Sequence, residues 1–252
     1  MNLVETTFQD GIAEIRLARL PVNAMNPSLC AEVRHALGEA IGTGAKGVIL
    51  GSTAKVFSAG LDVPYLVSLG QDRDALRAAW QEFFDTALAL ANAPVPVVAA
   101  LNGHAPAGGC VWALCCDYRV MASGPFRIGL NETQVGLVAP DGIQRLMRRI
   151  VGPHRAERLL VAGELVEAEQ ALAYGLVDEL VDIDSVSTRS RVWLEQLLAL
   201  PREAMLSTRA IARADVADAL QPHNIRLDRF VDSWYADGTQ AALRALLDKL
   251  GK

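Results

Sequence analysis

The sequence predicts an α/β core followed by a helical C-terminal segment, and three features carry that reading. Apolar residues switch repeatedly between a period of two and a helical period along the first part of the chain. Short strand-like runs are closed by turn signals such as Asp10-Gly11 and Asn102-Gly103. Beyond Leu198 the pattern becomes almost entirely helical, with no low-complexity linker before it. The expected organisation is a core over residues 1–195 and a helical segment over 196–252 that serves packing and oligomerisation.

The elements follow in order. VETTFQ and IAEIRLA alternate apolar and polar residues on either side of Asp10-Gly11, which reads as a hairpin. From Pro27 to about Ile41, residues Leu29, Val33, Leu37 and Ile41 recur at helical spacing, and Pro27 suits a first turn. KGVILGS returns to a strand, a long helix runs from about Asp72 to Ala91, and PVPVVAALNG is a short buried strand. YRVMAS and FRIGL read as strands, followed by a helix around Gly142 to Val151. PREAMLSTRAIARADV and the final IRLDRFVDSWYADGTQAALRALLDKL read as helices, with Leu227, Phe230, Val231 and Trp234 spaced for docking.

Composition narrows the function. The 252 residues are 51% hydrophobic and 21% charged, as expected of a globular protein with a large core. A net charge of -5 with interspersed signs argues against nucleic-acid binding. Cys30, Cys110, Cys115 and Cys116 have no zinc-type spacing and read as reduced and mostly buried. No apolar run approaches the ~18 residues of a membrane span, and the N-terminal MNLVETTFQDG lacks the pattern of a secretory signal, so a cytoplasmic protein is expected.

Two glycine-containing stretches can carry chemistry. In VFSAGLDV, Gly60 allows a turn that aims the amide of Leu61 into a cavity; in NGHAPAGGCVWALCCDYR, Gly108 and Gly109 open an apolar helix whose first N–H groups lack partners. Two inward amides would form an oxyanion hole, whereas the plainer reading gives these glycines to tight turns and close packing. Neither stretch has the spacing of a dinucleotide fingerprint or phosphate loop, and no Gly-x-Ser-x-Gly elbow is present. His35 reads as a helix residue that is solvated or partners a backbone group, and His104 lies near the candidate amides, within reach of a substrate contact. In IGLNETQVGLVAP, Glu132 stands as a lone acid among apolar neighbours, either desolvated for proton transfer or, more commonly for such a residue, solvated or capping. Asp62 is placed to cap a helix, Asp117 and Arg119 read as a structural pair, and Asn131 as a local backbone cap or a group orienting the carboxylate.

FSAGLD, NGHAPAGGCVWALCCDYRVMA and IGLNETQVGLVAP resemble, in order and spacing, the motifs of the enoyl-CoA hydratase/isomerase (crotonase) superfamily. PVNAMN at residues 21 to 26 and the stretch from Gly152 extend the resemblance over most of the chain. PAGGC together with IGLNETQVG is most similar to the Δ3,Δ2-enoyl-CoA isomerases of that superfamily. The resemblance implies a crotonase-like spiral of repeated ββα units with C-terminal helices that help to form a homotrimer. It implies an acyl-CoA thioester as substrate, with CoA part of the substrate and no separate cofactor, metal, nucleic acid or membrane partner.

Residue by residue, the amides of Leu61 and Gly108 match the pair that holds the thioester oxygen, and Glu132 matches a catalytic carboxylate. Ala24, Ala59 and Leu61 match positions at the CoA entrance; Val111, Trp112, Leu66, Leu69 and parts of the long helix from Asp72 are candidate walls of the acyl end, and Asn131 is a further substrate-binding candidate. One departure matters: the hydratases resemble Gly-Gly-Cys-Glu where this chain has Gly109-Cys110-Val111, so a second carboxylate is absent at that position. The implied activity is isomerisation of a 3-enoyl-CoA during fatty acid β-oxidation. The competing readings are another crotonase-type isomerase or hydrolase and a noncatalytic acyl-CoA-binding homologue.

Overall fold

The computed structural model describes every residue except 1, 250 and 252. Leu250, the last residue of the expected terminal helix, therefore lies outside the described residues. The chain begins with the hairpin β1 (Val4–Gln9) and β2 (Ile12–Leu17), joined where Asp10 and Gly11 both take positive φ, as a type I′ turn requires. Helix α1 (Pro27–Gly42) is capped by the Asn26 side chain, which accepts from Leu29 N at 3.0 Å. β3 (Gly47–Ser52) follows, then the short α2 (Val63–Ser68) and the long α3 (Arg73–Ala91), whose caps Asp62 and Asp72 accept from Tyr65 N and Ala75 N.

The expected alternation of two strands and a helix then appears twice. β4 (Val97–Leu101), β5 (Ala105–Pro106) and α4 (Gly108–Cys115) form one unit. β6 (Tyr118–Ala122), β7 (Arg127–Gly129), a 3-10 turn at Glu132–Val135 and α5 (Asp141–Val151) form the next. α6 (Pro153–Ala162), β8 (Val166–Glu167), α7 (Ala168–Ala173), β9 (Glu179–Val181) and α8 (Val186–Leu198) complete the α/β part. The remainder is helical: α9 (Arg202–Ala212), α10 (Ala214–Ala219), α11 (Pro222–Ile225), α12 (Leu227–Trp234) and α13 (Asp237–Lys249).

The first strand of each unit enters a six-stranded sheet of order β1-β2-β3-β4-β6-β9, parallel except for the hairpin. The second strands, β5 and β7, join β8 in a small separate sheet. The large sheet is covered on both faces, which is why β3 and β4 read as unbroken apolar runs. Val48, Leu50, Val97, Ala99 and Leu101 pack into the main core, while Ile49, Val98 and Ala100 face the opposite side against Val186 and Leu194 of α8. Helical structure thus begins before Leu198, and the boundary expected at residue 195 falls inside α8.

Asp117 and Arg119 do not pair with each other. The β-strand that starts at Tyr118 sends their side chains to different neighbours: Arg119 meets Asp178 at 2.7 Å, whereas Asp117 receives two bonds from Arg209, at 2.7 and 2.8 Å, and one from Val97 N. Arg213 lies 3.2 Å from the same carboxylate. This buried knot ties α9 and α10 to the end of β4. Asp117→Ala strands two guanidinium groups in a desolvated place, and urea unfolding is expected to show a loss of roughly 3–5 kcal/mol.

Candidate active site

The local backbone sets two amides apart from the hydrogen-bonded framework. Met25 N donates to Gly60 O and Asp62 N to Met25 O, so the ladder uses the groups around Leu61 and passes over its N–H. Gly108 is the first residue of α4, where an N–H has no partner within the helix. Among the described residues neither the Leu61 nor the Gly108 N–H has an acceptor. Ala107, just before Gly108, holds φ 46° and ψ -117°, a sparsely populated conformation for a residue with a Cβ. Gly60 fits against this bend so closely that a Cβ built on it would lie 3.2 Å from Ala107 Cβ and 3.6 Å from Gly108 N.

Both amide-bearing residues border a cavity of 620 Å³ that also reaches Glu132. Ala24, Ala59, Leu61, Leu66, Gly108, Val111, Asn131 and Glu132 all line it, so the structure brings together eight of the ten residues named for the site in the sequence. Trp112 is one of the two exceptions: it is fully buried, lies outside the cavity lining and stacks on Phe83 with ring centroids 6.0 Å apart. α4 is apolar on every side, so helical spacing alone does not say which residue faces inward. Leu66 borders the cavity and Leu69 does not. Asn131 makes no side-chain capping bond, and His104 is occupied outside the cavity, its Nδ1 accepting from Arg127 N.

Glu132 opens the single 3-10 turn after β7 and is the unpaired acid of this cavity. The other cavity-lining carboxylate, Asp62, is held by Arg19 at 2.6 Å and by Tyr65 N. Glu132 Oε2 is buried without a hydrogen-bond partner among the described residues. Burial, opposed only by its own backbone N–H, pushes the Glu132 carboxyl up to about 7. Val135 and Leu137 on its own loop and Val111 of α4 contribute apolar wall. Leu130, two residues before Glu132, is buried and does not line the cavity.

The far wall is aromatic. Trp80, Phe83 and Phe84 of α3 meet Phe230 and Trp234 of α12, with Trp80 and Phe230 edge-to-face at 4.4 Å between centroids. Leu246 of α13 joins them, so the C-terminal helices wall the cavity of their own chain. The sequence signalled Phe230 and Trp234 as docking residues; their second role depends on α3, which lies far away along the chain. No group of three His, Cys, Asp or Glu is placed to hold a metal among the described residues.

Comparison with known proteins gives a consistent picture. The enoyl-CoA hydratase/isomerase family model matches residues 7–249. Mouse mitochondrial enoyl-CoA delta isomerase 1 is 35% identical over 252 residues, covering 98% of this chain and 86% of the relative. A probable enoyl-CoA hydratase of Mycobacterium tuberculosis is 36% identical over 215 residues, covering 84% of this chain and 78% of the relative. The crystal structure of human mitochondrial delta3-delta2-enoyl-CoA isomerase superposes with a TM-score of 0.93 at 32% identity, covering 99% of this chain and 98% of the other.

Proposed function

The chain belongs to the enoyl-CoA hydratase/isomerase (crotonase) family and is an isomerase of it; we propose that it moves the double bond of a 3-enoyl-CoA to the conjugated 2-trans position. The observation that supports this reading most is one carboxylate, Glu132, unpaired among the described residues, in a cavity also lined by Val111, the residue that stands in sequence where the hydratase pattern Gly-Gly-Cys-Glu has its second acid. Adding water requires both activation of the water and protonation of a carbon. A double-bond shift needs one group that takes a proton and gives it back.

In this reading Glu132 removes a proton from C2 and returns it to C4. The charge that develops between the two transfers spreads onto the thioester oxygen, where the N–H groups of Leu61 and Gly108 receive it. Removing one such donor typically costs about 2.7–4 kcal/mol of barrier. Ala24 and Ala59 line the CoA entrance, and Asn131 lies beside the carboxylate. Val111 and the aromatic wall hold the acyl chain. CoA supplies no chemistry beyond the thioester and is part of the substrate. The same reading includes a role in fatty acid β-oxidation, a cytoplasmic location and a homotrimer, for which a stable monomer in sedimentation would be the contrary result.

The test is conversion of trans-3-hexenoyl-CoA to its 2-isomer, with hydration of 2-hexenoyl-CoA measured alongside. Isomerisation with negligible hydration is expected. Hydration as the faster reaction, or neither reaction by folded protein, overturns the reading and directs the search to other acyl-CoA thioesters. A base must begin unprotonated, so kcat/KM is expected to rise with pH through a single acid limb near 7 and to level off above it, following the raised Glu132 carboxyl.

A further inference from the structure

The turn that carries Glu132 is four residues long and depends on its neighbours for its position. It is fastened on two sides. From α6, Leu160 O accepts from Thr133 Oγ1 at 3.3 Å and Gly163 O accepts from Gln134 Nε2 at 2.7 Å. From α13, Thr239 Oγ1 donates to Gly136 O at 2.7 Å. Gly136 ends the turn, and the next residue, Leu137, returns its N–H to the carbonyl of Glu132 at 3.0 Å. Thr239 therefore bears on the Glu132 backbone through one short loop.

The contact is close as well as polar. A Cβ built on Gly136 would lie 2.9 Å from Thr239 Cα, so the turn and the first turn of α13 meet backbone to backbone. Thr239 is itself buried, although it sits in a helix with many exposed residues. α13 also contributes Leu246 to the cavity wall. One helix thus borders the acyl end of the cavity and holds the loop of its carboxylate.

We propose that Thr239 is a positioning residue for the isomerisation, fixing through the Gly136 carbonyl how deeply Glu132 is set into the cavity. The proposal rests on the isomerase reading for its kinetic consequences and on geometry alone for its effect on Glu132. Without the bond, the turn relaxes away from α13 and the carboxylate gains water. Proton transfer suffers more than binding, because misplacement by a fraction of a bond length affects the reacting geometry first.

The experiment compares wild type, Thr239→Val and Thr239→Ser. Valine keeps the branched shape and removes the donor; serine keeps the donor and removes the methyl. With trans-3-hexenoyl-CoA, the valine variant is expected to lose about 10-fold in kcat with KM nearly unchanged. Its acid limb should move below that of wild type, and serine should restore both quantities. Equal losses in the two variants, or a valine variant with wild-type kcat and pH profile, overturn the proposal. Titration of Glu132 by carbon-13 NMR without substrate provides a second readout. A lower titration midpoint in the valine variant alone supports the proposal, and the same midpoint in all three proteins overturns it. If wild type leaves 3-enoyl-CoA unchanged, the isomerase reading fails while the titration still decides the role of Thr239.

Discussion

Glu132→Gln is expected to lower the rate of isomerisation by roughly 10²–10⁴-fold, the usual contribution of a positioned acid-base group, and to leave the protein more stable above neutral pH. The two effects have one cause. The Glu132 carboxyl is pushed up to about 7 by burial, with Oε2 lacking a partner among the described residues. A raised carboxyl means that the folded state holds its proton more tightly than the unfolded chain does. Its contribution to stability is therefore full below the unfolded value and is lost as pH rises through about 7. Above that pH the ionised group opposes folding, and glutamine removes the charge. Because the amide still leaves a polar atom without a partner, the gain is expected to be on the order of 1–3 kcal/mol. Urea unfolding at pH 8 and pH 4 checks it: the variant should be the more stable protein at pH 8 and nearly equal to wild type at pH 4. A variant that loses both activity and stability at pH 8 would assign Glu132 a structural task.

Much of this arrangement is legible in the sequence, for identifiable reasons. The hairpin, α1, α3 and β4 are specified locally, by Asp10-Gly11, by the capping residues Asn26 and Asp72, and by an apolar run bounded by turns. β5 and β8 have two residues each and exist through pairing with β7, so no local period marks them. The partners of Asp117 also come from far along the chain, with Arg209 supplied by α9. At the site, the order of motifs marks Glu132, Leu61 and Gly108, but on the loop of Glu132 Val135 and Leu137 line the cavity while Thr133 and Gln134 are exposed, so the rest of its desolvation is not local. It follows from α4, α12 and α13 closing around the cavity. Trp112 shows the converse problem: a wholly apolar helix conceals which side faces the cavity, and Val111 takes that side.

Gly60→Ala is expected to reduce kcat by about 100-fold while leaving substrate binding largely intact, and Gly70→Ala provides its control. Both glycines hold positive φ, 84° and 59°, so each alanine imposes a similar backbone penalty of about 1–2 kcal/mol. Their surroundings differ. Nothing lies within 4 Å of a Cβ built on Gly70, whereas one on Gly60 presses on Ala107 Cβ at 3.2 Å and Pro106 O at 3.3 Å. The same methyl group thus pushes apart the Gly60-Leu61 and Ala107-Gly108 segments, whose free N–H groups must converge on one oxygen if they act as a pair. Amides that receive charge only as it develops influence the transition state more than the bound substrate, so the change should fall on kcat rather than KM. Thermal unfolding should show both variants destabilised, Gly60→Ala the more because its methyl also crowds Ala107 and Pro106, and steady-state kinetics on the folded proteins should separate them further. Comparable loss of activity in Gly70→Ala would attribute the effect to stability alone. Full activity in Gly60→Ala would mean that the spacing of the two amides does not control the reaction.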